Sequence, residues 1–205
     1  MILLNYAKLS CGVDKTDLAN TVKQLFSHPD NQIYIDKICN RANDASACES
    51  LAALILLAKL CQHMKLQTHT LVLKRAESGK PYFDGSEFDF SITHSQGKIA
   101  VALSDSGKVG IDLEAKDIDV ERAKKLSARY LSESNQKAVT SASDFLKVWT
   151  EKEAIAKLCD LPLTAVLSSE VPDSINIRHE MILNSPVAIC FYGEQALTIL
   201  PQQDL

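Results

Sequence analysis

The feature that most constrains the fold is the run SLAALILLAKL at residues 50–60, in which nearly every residue is apolar. A helix that is apolar on almost all sides has to be covered by other elements of the protein. Ser46 and Glu49 have the spacing of a capping box, so we predict a helix that starts at Ser46 and ends near Met64. Since the run is about half the length that spans a bilayer, we expect the buried central helix of the first half, and no membrane insertion.

Short segments of alternating apolar residues predict strands on both sides of this helix. They are MILLNYAKL (1–9), THTLVLK (68–74), FDFSIT (88–93), KIAVALS (98–104), VGIDLE (109–114), INIRH (175–179), AICFYG (188–193) and ALTIL (196–200). The turn DSG at 105–107 predicts a hairpin between the strands that flank it. The opening segment lacks a basic stretch and a cleavage site, which favours a first strand over a signal peptide.

Helices are predicted near 14–26, 119–131, 133–140 and 144–159, again from apolar periodicity. Helices beside small, largely antiparallel sheets predict an α+β fold. Because no linker rich in Pro, Gly or Ser separates the two halves, we expect one compact body.

The charge balance and the cysteines narrow the classes of ligand. With a net charge of -4 and a pI near 5.7, the chain is a poor candidate for nucleic acid, whose binding relies on many Lys and Arg contacts to phosphate. The six cysteines show no metal-ligand spacing and are interpreted as reduced thiols, which favours a cytoplasmic location.

Two carboxylates stand two residues apart near the end of a predicted strand. Asp112 and Glu114 therefore share a face, while Val109, Ile111 and Leu113 point into the core. Oxygen ligands of this kind suit Mg²⁺ or Mn²⁺. A solvated strand end would give the same pattern.

A third carboxylate, Glu153, lies on a predicted helix, four residues before Lys157. Such a pair is common on helix surfaces. Trp149, one turn earlier, is expected to hold the Glu153 carboxylate against the protein body.

Four blocks then follow in order between Gly79 and Lys157: GKP, FSITHS, GIDLE and WTEKEAIAK. Together they resemble the signature blocks of the Sfp-type phosphopantetheinyl transferases. The resemblance implies two similar α/β halves, residues 1–108 and 109–205, related by a pseudo-twofold axis in a monomer with its active site between them.

The resemblance implies transfer of 4′-phosphopantetheine from coenzyme A to a serine of an acyl or peptidyl carrier protein, with release of 3′,5′-ADP. It implies that Asp112, Glu114 and Glu153 hold Mg²⁺, for which Mn²⁺ can substitute. Glu153, or a metal-bound water, would take the serine proton, and Lys157 would stabilise the leaving group. Coenzyme A would be contacted by Gly79, Lys80, Pro81, Thr93, His94 and Lys157.

The sequence departs from the family pattern in three regions. Asn135 stands where an acidic residue is usual, and Asp160 and Pro162 replace a glycine-rich turn. Glu49 falls about where an arginine for the 3′-phosphate is expected, with Lys37 and Arg41 as nearby substitutes. Two alternative functions therefore remain: a hydrolase of the coenzyme A pyrophosphate, and a carrier-binding module without catalysis.

A basic helix face suggests where a carrier would bind. Arg122, Lys125 and Arg129 recur at helical spacing, opposite a predicted buried stripe of Val120, Ala123, Leu126 and Tyr130. The face would suit an acidic carrier helix, although an ordinary solvated helix would look the same.

Overall fold

The computed structural model describes all residues from 1 to 205, and its first core surrounds helix α3, Asp44–His63. This helix is buried along most of its length, as its apolar run predicts, and Met64 caps its end. The capping box predicted at Ser46 is wrong. The helix begins two residues earlier because the Asn43 side chain accepts a hydrogen bond from the Ser46 N–H at 3.0 Å, which leaves Glu49 free for other contacts.

The first sheet has the strand order β10-β1-β5-β4, with β9 also beside β1. Its strands are β1 (Ile2–Lys8), β4 (Asp89–Ser95), β5 (Lys98–Ser104), β9 (Leu197–Ile199) and β10 (Gln203–Asp204). One face packs against α3 together with α1 (Lys15–Leu25) and α2 (Asn31–Cys39), and this cluster holds 26 buried residues, the largest core of the protein. No sequence pattern had indicated α2.

The other face of the first sheet packs against a second sheet of order β6-β8-β7. Its strands are β6 (Val109–Leu113), β7 (Ile175–Ile182) and β8 (Ser185–Tyr192). Helix α6 (Ala142–Cys159) covers the far side. Around it lie α4 (Val120–Tyr130), α5 (Glu133–Ala138) and α7 (Leu163–Val166). The protein is thus layered as helices, sheet, sheet and helix.

Two local predictions are corrected. The predicted hairpin across DSG is wrong, because β5 already uses both of its edges for β1 and β4, and β6 pairs with β8 instead. The predicted strand at 68–74 is shortened by a 3₁₀ turn at Thr68–Thr70, and strand β2 (Leu73–Arg75) forms a small hairpin with β3 (Pro81–Phe83).

The two large sheets meet where β4 runs beside β6 in the same direction, without a backbone ladder between them. Three N–H groups of β6 and the N–H of Ala115, just after the strand, donate instead to side-chain oxygens of alternate β4 residues. The distances are 2.8 to 3.2 Å. The pairs are Val109 to Asp89, Ile111 to Ser91, Leu113 to Thr93 and Ala115 to Ser95. Two lysines bond the carbonyls: Lys80 reaches Val109 at 3.0 Å and Lys157 reaches Ile111 at 3.1 Å. We call this contact the β4–β6 seam.

The predicted α+β class is confirmed by this arrangement. The pseudo-twofold relation and the boundaries 1–108 and 109–205 stay predictions, and β9 and β10 cross that boundary to join the sheet of β1. No helix combines the length and apolar character needed to cross a membrane.

Gly110 lies where β6 passes close to the backbone of α6. A Cβ placed on it would lie 2.0 Å from the Ala154 carbonyl oxygen and 2.7 Å from the Leu158 nitrogen, both backbone atoms. Because backbone cannot yield as a side chain does, Gly110→Ala should destabilise the protein by about 1–3 kcal/mol or more. Urea unfolding measures this change, and an unchanged midpoint would show that the two elements are not held this closely in solution.

Candidate active site

The centre of the candidate site is a pair of carboxylates from β6 and α6. Asp112 is 4% exposed and accepts hydrogen bonds from Thr93 Oγ1 at 3.0 Å and Lys157 Nζ at 2.7 Å. Glu153 accepts a hydrogen bond from Trp149 Nε1 at 2.8 Å, the contact expected from their spacing. Burial, and then the neighbouring charge of Asp112, raise the pKa of Glu153 to about 7.

Lys157 joins this pair to the seam. Its ammonium bonds both the Asp112 carboxylate and the Ile111 carbonyl, while its side chain remains 27% exposed. The cation is therefore fixed in place by the strand that carries Asp112, yet it still faces the cleft beside it.

Glu114 lies two residues further along and has separate partners. Its Oε1 atom accepts hydrogen bonds from Ser95 Oγ at 2.7 Å and from the Lys116 N–H at 2.9 Å. No three acidic, histidine or cysteine side chains lie close enough together to hold a metal ion. Of the three predicted ligands, the structure therefore brings Asp112 and Glu153 together, and the metal assignment stays a prediction.

An open cleft of about 580 Å³ passes over these residues. Its walls include Thr93, Asp112, Glu153 and Lys157 on one side and α3 on the other. It also contains two guanidinium groups, Arg41 and Arg75, neither of which pairs with a carboxylate. Burial, and then the charge of Arg75, lower the pKa of Arg41. Two unpaired cations so close together favour an anionic ligand.

Arg75 was not singled out from the sequence. It ends β2, four residues before the GKP block, and its guanidinium lies 5.8 Å from the centre of the Tyr34 ring. The sequence did offer one indication of its role: a basic residue that follows the buried Leu73 at a spacing of two, just before the GKP block. Arg41 had been named only as a substitute for an expected arginine.

Gly79 and Lys80 of the GKP block lie in the loop before β3, and Pro81 is the first residue of that strand; Gly79 has a φ of +95°, which residues with a side chain rarely adopt. The Lys80 ammonium does not face the cleft freely. It bonds Asp89 at 2.7 Å and the Val109 carbonyl, its side chain is 9% exposed, and burial lowers its pKa. Lys80 is thus part of the β4–β6 seam, while Gly79 and Pro81 line the cleft.

His94 is engaged through both ring nitrogens. Its Nδ1 lies 2.9 Å from Glu49 Oε2, and its Nε2 lies 3.2 Å from Ser50 Oγ. Glu49 also accepts a hydrogen bond from the Gly97 N–H at 2.5 Å. The acidic residue found where an arginine is expected therefore holds His94 and the β4–β5 turn in place.

The remaining departures lie at the margins. Asn135 belongs to α5, where its N–H bonds the Ser132 hydroxyl, and it does not line the cleft. Asp160 ends α6 at a φ of 57° and accepts a hydrogen bond from Ser78 Oγ, so it serves the left-handed position that a glycine would fill. Pro162 caps the start of α7.

On α4, the basic residues Arg122, Lys125 and Arg129 are all exposed. The opposite face is buried at Ala123 and partly buried at Leu126 and Tyr130. The prediction that Val120 joins this stripe is wrong, since it is 41% exposed at the first turn of the helix.

The raised pKa of Glu153 has a measurable effect on stability. Its carboxyl pKa rises from 4.5 to about 7 on folding, so the stabilisation from its proton is complete below pH 4.5 and is lost as the pH passes through 7. In Glu153→Gln the side chain keeps nearly the same shape but cannot release a proton, so this loss of stability with rising pH should disappear. Between about pH 5 and 8 without divalent cations, the variant should gain on the order of 1–3 kcal/mol relative to the parent chain. Urea unfolding at each pH measures the difference; the exposed Glu121→Gln is the control, and parallel curves for Glu153→Gln would refute the shift.

The sequence of the chain relates it to known proteins. No family model matches the chain. It is 30% identical over 134 residues to the 4′-phosphopantetheinyl transferase AcpT of Salmonella typhi and of Salmonella typhimurium, covering 62% of this chain and 69% of each relative. It is 34% identical over 90 residues to a putative 4′-phosphopantetheinyl transferase of Haemophilus influenzae, covering 42% of this chain and 38% of the relative. The chain belongs to the 4′-phosphopantetheinyl transferase family.

Proposed function

We propose that this protein transfers the 4′-phosphopantetheine group of coenzyme A to a serine hydroxyl of an acyl or peptidyl carrier protein, with Mg²⁺, and releases 3′,5′-ADP. The observation that carries the proposal is the buried pair of Asp112 and Glu153 beside the Lys157 ammonium, at the wall of a cleft that holds unpaired guanidinium groups. Phosphoryl transfer requires carboxylates that can bind a metal cation and positively charged groups that can bind phosphates, all facing one cleft.

The donor set fits Mg²⁺ or Mn²⁺ in kind, because both ions prefer carboxylate oxygens. Asp112 and Glu153 would hold the ion, with Glu114 next on the same strand face. The like-charge repulsion that contributes to the raised pKa of Glu153 is what a divalent cation would relieve. When bound, the ion supplies neutralisation of charge on the pyrophosphate of the donor.

Glu153, or a water that it orients, would receive the proton of the attacking serine. Its Oε1 atom is held by Trp149 Nε1, and a carboxylate fixed beside the reacting hydroxyl can act as its general base. In the reaction, a bond forms between the serine oxygen and phosphorus, and the bond from phosphorus to the oxygen of 3′,5′-ADP breaks. The Lys157 ammonium, fixed by Asp112 and Ile111, stabilises the negative charge on the departing group.

Coenzyme A brings further phosphate charge, which we assign to Arg41 and Arg75. Both line the cleft, and neither has a carboxylate partner. Lys80 and His94, named from the family blocks, have their polar atoms engaged inside the protein. The guanidinium groups are therefore the better candidates for direct contact with phosphate.

The carrier is proposed to dock against the exposed basic face of α4, formed by Arg122, Lys125 and Arg129. The Arg129 guanidinium lies 5.0 Å from the centre of the Tyr130 ring, which restricts its motion. An acidic carrier helix would be steered to this face by charge.

The first test measures the mass of an apo carrier protein after incubation with coenzyme A and Mg²⁺. A gain of one phosphopantetheine unit is expected from the parent chain, whereas free phosphopantetheine would indicate a hydrolase and a bound, unmodified carrier would indicate a binding module. Asp112→Asn and Glu153→Gln should lower the rate by roughly 10² to 10⁴. Glu151→Gln is the matched control, because Glu151 lies on the same helix but pairs with His179 at 3.0 Å; equal losses in all three variants would count against the site.

A second test separates donor binding from chemistry. Arg75→Gln should raise KM for coenzyme A about tenfold or more with little change in kcat, because charge-assisted bonds to phosphate contribute about 1.5–3 kcal/mol. Lys74→Gln is the neighbouring control, since Lys74 pairs with Asp84 at 2.7 Å and does not line the cleft. Steady-state kinetics with varied coenzyme A measure both constants, and an unchanged KM in Arg75→Gln would exclude this contact.

A further inference from the structure

Every edge but one of the two large sheets is short or covered. In the first sheet, β4 ends at the seam with β6, and the opposite edge is formed by β9 and β10, which have three and two residues. In the second sheet, β6 is closed by the same seam. Strand β7 has eight residues and pairs on one side only, with β8. Its outer edge is therefore the one long open edge of the protein, and α6 packs mainly on β6 and β8.

This outer edge of β7 presents free backbone groups. Met181 lies opposite Pro186, and the Pro186 carbonyl bonds the Glu114 N–H, on the far side of β8, at 3.3 Å. Two residues that face each other in an antiparallel ladder either bond each other or both point away, so the backbone of Met181 points outward. The same direction recurs at every second residue of the strand. The outward N–H and C=O groups thus include those of Ile177 and His179.

The side chains along this edge carry one positive and one negative charge on either side of His179. Arg178 is exposed and Glu180 is partly exposed, and neither forms an ion pair within the chain. Met181 is 69% exposed, more than any other large apolar side chain, and Ile177 is partly buried. Charges on an open strand edge commonly prevent pairing. Here their order makes the strand complementary to a second copy of itself.

We propose that β7 pairs with β7 of a second copy of this chain, antiparallel about a twofold axis that passes beside His179. This register places Arg178 opposite Glu180 of the partner subunit, and by symmetry Glu180 opposite the partner's Arg178. Ile177 and Met181 face the partner's Met181 and Ile177 in the same way. The outward backbone groups of these residues then bond their counterparts, so that the two sheets become one.

The charges select this register over its neighbours. Moving the axis by one residue would place it at Arg178 or at Glu180, and two like charges would then face each other directly, which destabilises a strand pair. The two facing His179 rings do not repel each other near pH 7, because burial and then the charge of Lys147 lower the pKa of this histidine. Each ring is also held by Glu151 of α6 at 3.0 Å.

Pairing through β7 leaves both candidate active sites open. The cleft lies at the seam along β6, two strands away from β7. The proposal therefore does not depend on the transferase reaction, and failure of one leaves the other standing. The assembly is a dimer, where the family resemblance implies a monomer.

Sedimentation equilibrium of the full chain, without coenzyme A or a carrier protein, tests the assembly. The mass should rise with concentration from 22.5 kDa towards twice that value, with a Kd below about 1 mM. Arg178→Glu and Glu180→Arg should each weaken dimerisation about tenfold or more, because like charges then face each other. Combining the two exchanges should restore the parent Kd. A parent chain that stays monomeric, or a double variant no tighter than the single ones, would overturn the proposal.

Lys65→Glu is the matched control for the change in net charge. Lys65 is exposed and follows α3, on the other side of the first sheet from β7. This variant should dimerise with the parent Kd. An effect as large as that of Arg178→Glu would show that net charge alone acts, and the assignment to the β7 edge would be wrong.

The backbone contacts are tested at His179. His179→Pro removes an outward N–H and keeps the bonds of β7 to β8, whereas His179→Thr keeps the N–H and controls for the lost contact with Glu151. The proline variant should not dimerise and the threonine variant should. Circular dichroism and urea unfolding establish that both are folded. A folded proline variant that dimerises as well as the threonine variant would exclude the strand ladder.

Hydrogen exchange identifies the occupant of the edge. In the parent chain, the amides of Ile177, His179 and Met181 should exchange more slowly at high protein concentration than at low concentration. Slow exchange that appears only after an acyl carrier protein is added would assign this edge to the carrier and overturn pairing with a second copy.

Discussion

The β4–β6 seam is the contact on which the rest of the structure depends. A strand edge buried between two sheets must satisfy its N–H and C=O groups, and β6 does so with side chains where a neighbouring strand would use backbone. The same side chains then build the site: Thr93 bonds both the Leu113 N–H and the Asp112 carboxylate, and Lys157 bonds both the Ile111 carbonyl and Asp112. The hydrogen bonds that join the two sheets therefore also position Asp112.

The faces of β6 could be predicted from sequence because a strand places alternate residues on opposite sides. Val109, Ile111 and Leu113 are buried as expected, and the spacing of Trp149 and Glu153 correctly indicated their contact. The seam could not be predicted in this way, because it joins residues twenty positions apart through side-chain oxygens that look like ordinary polar positions of a half-buried strand. Pairing of β6 with β8 is more distant still, and it displaced the local hairpin that the DSG turn suggested.

Charged residues were predicted least well, since their partners are set by tertiary contacts. The contact of Lys80 with coenzyme A stays a prediction, but the sequence did not show that its ammonium bonds Asp89 and the Val109 carbonyl in the seam. Glu49 was expected to cap a helix, and it instead holds His94 and the turn at Gly97. No role was predicted for Arg75, although it is one of two arginines in the cleft whose guanidinium groups form no ion pair with a carboxylate. In each case the residue type was visible but its burial was not, and burial decides whether a charge is structural or free.

The position of β1 has a consequence for how the chain folds during synthesis. β1 pairs with β5 on one edge and with β9 and β10 on the other, so the largest sheet joins residues 2–8 to residues 197–204. During translation, β1 leaves the ribosome long before β9 and β10 have been synthesised. Until then this apolar strand has an unpaired edge that can pair with other chains. Nascent chains that stall or terminate before residue 197 should therefore tend to aggregate and to depend on chaperones, even though the residues around Asp112 have already been synthesised.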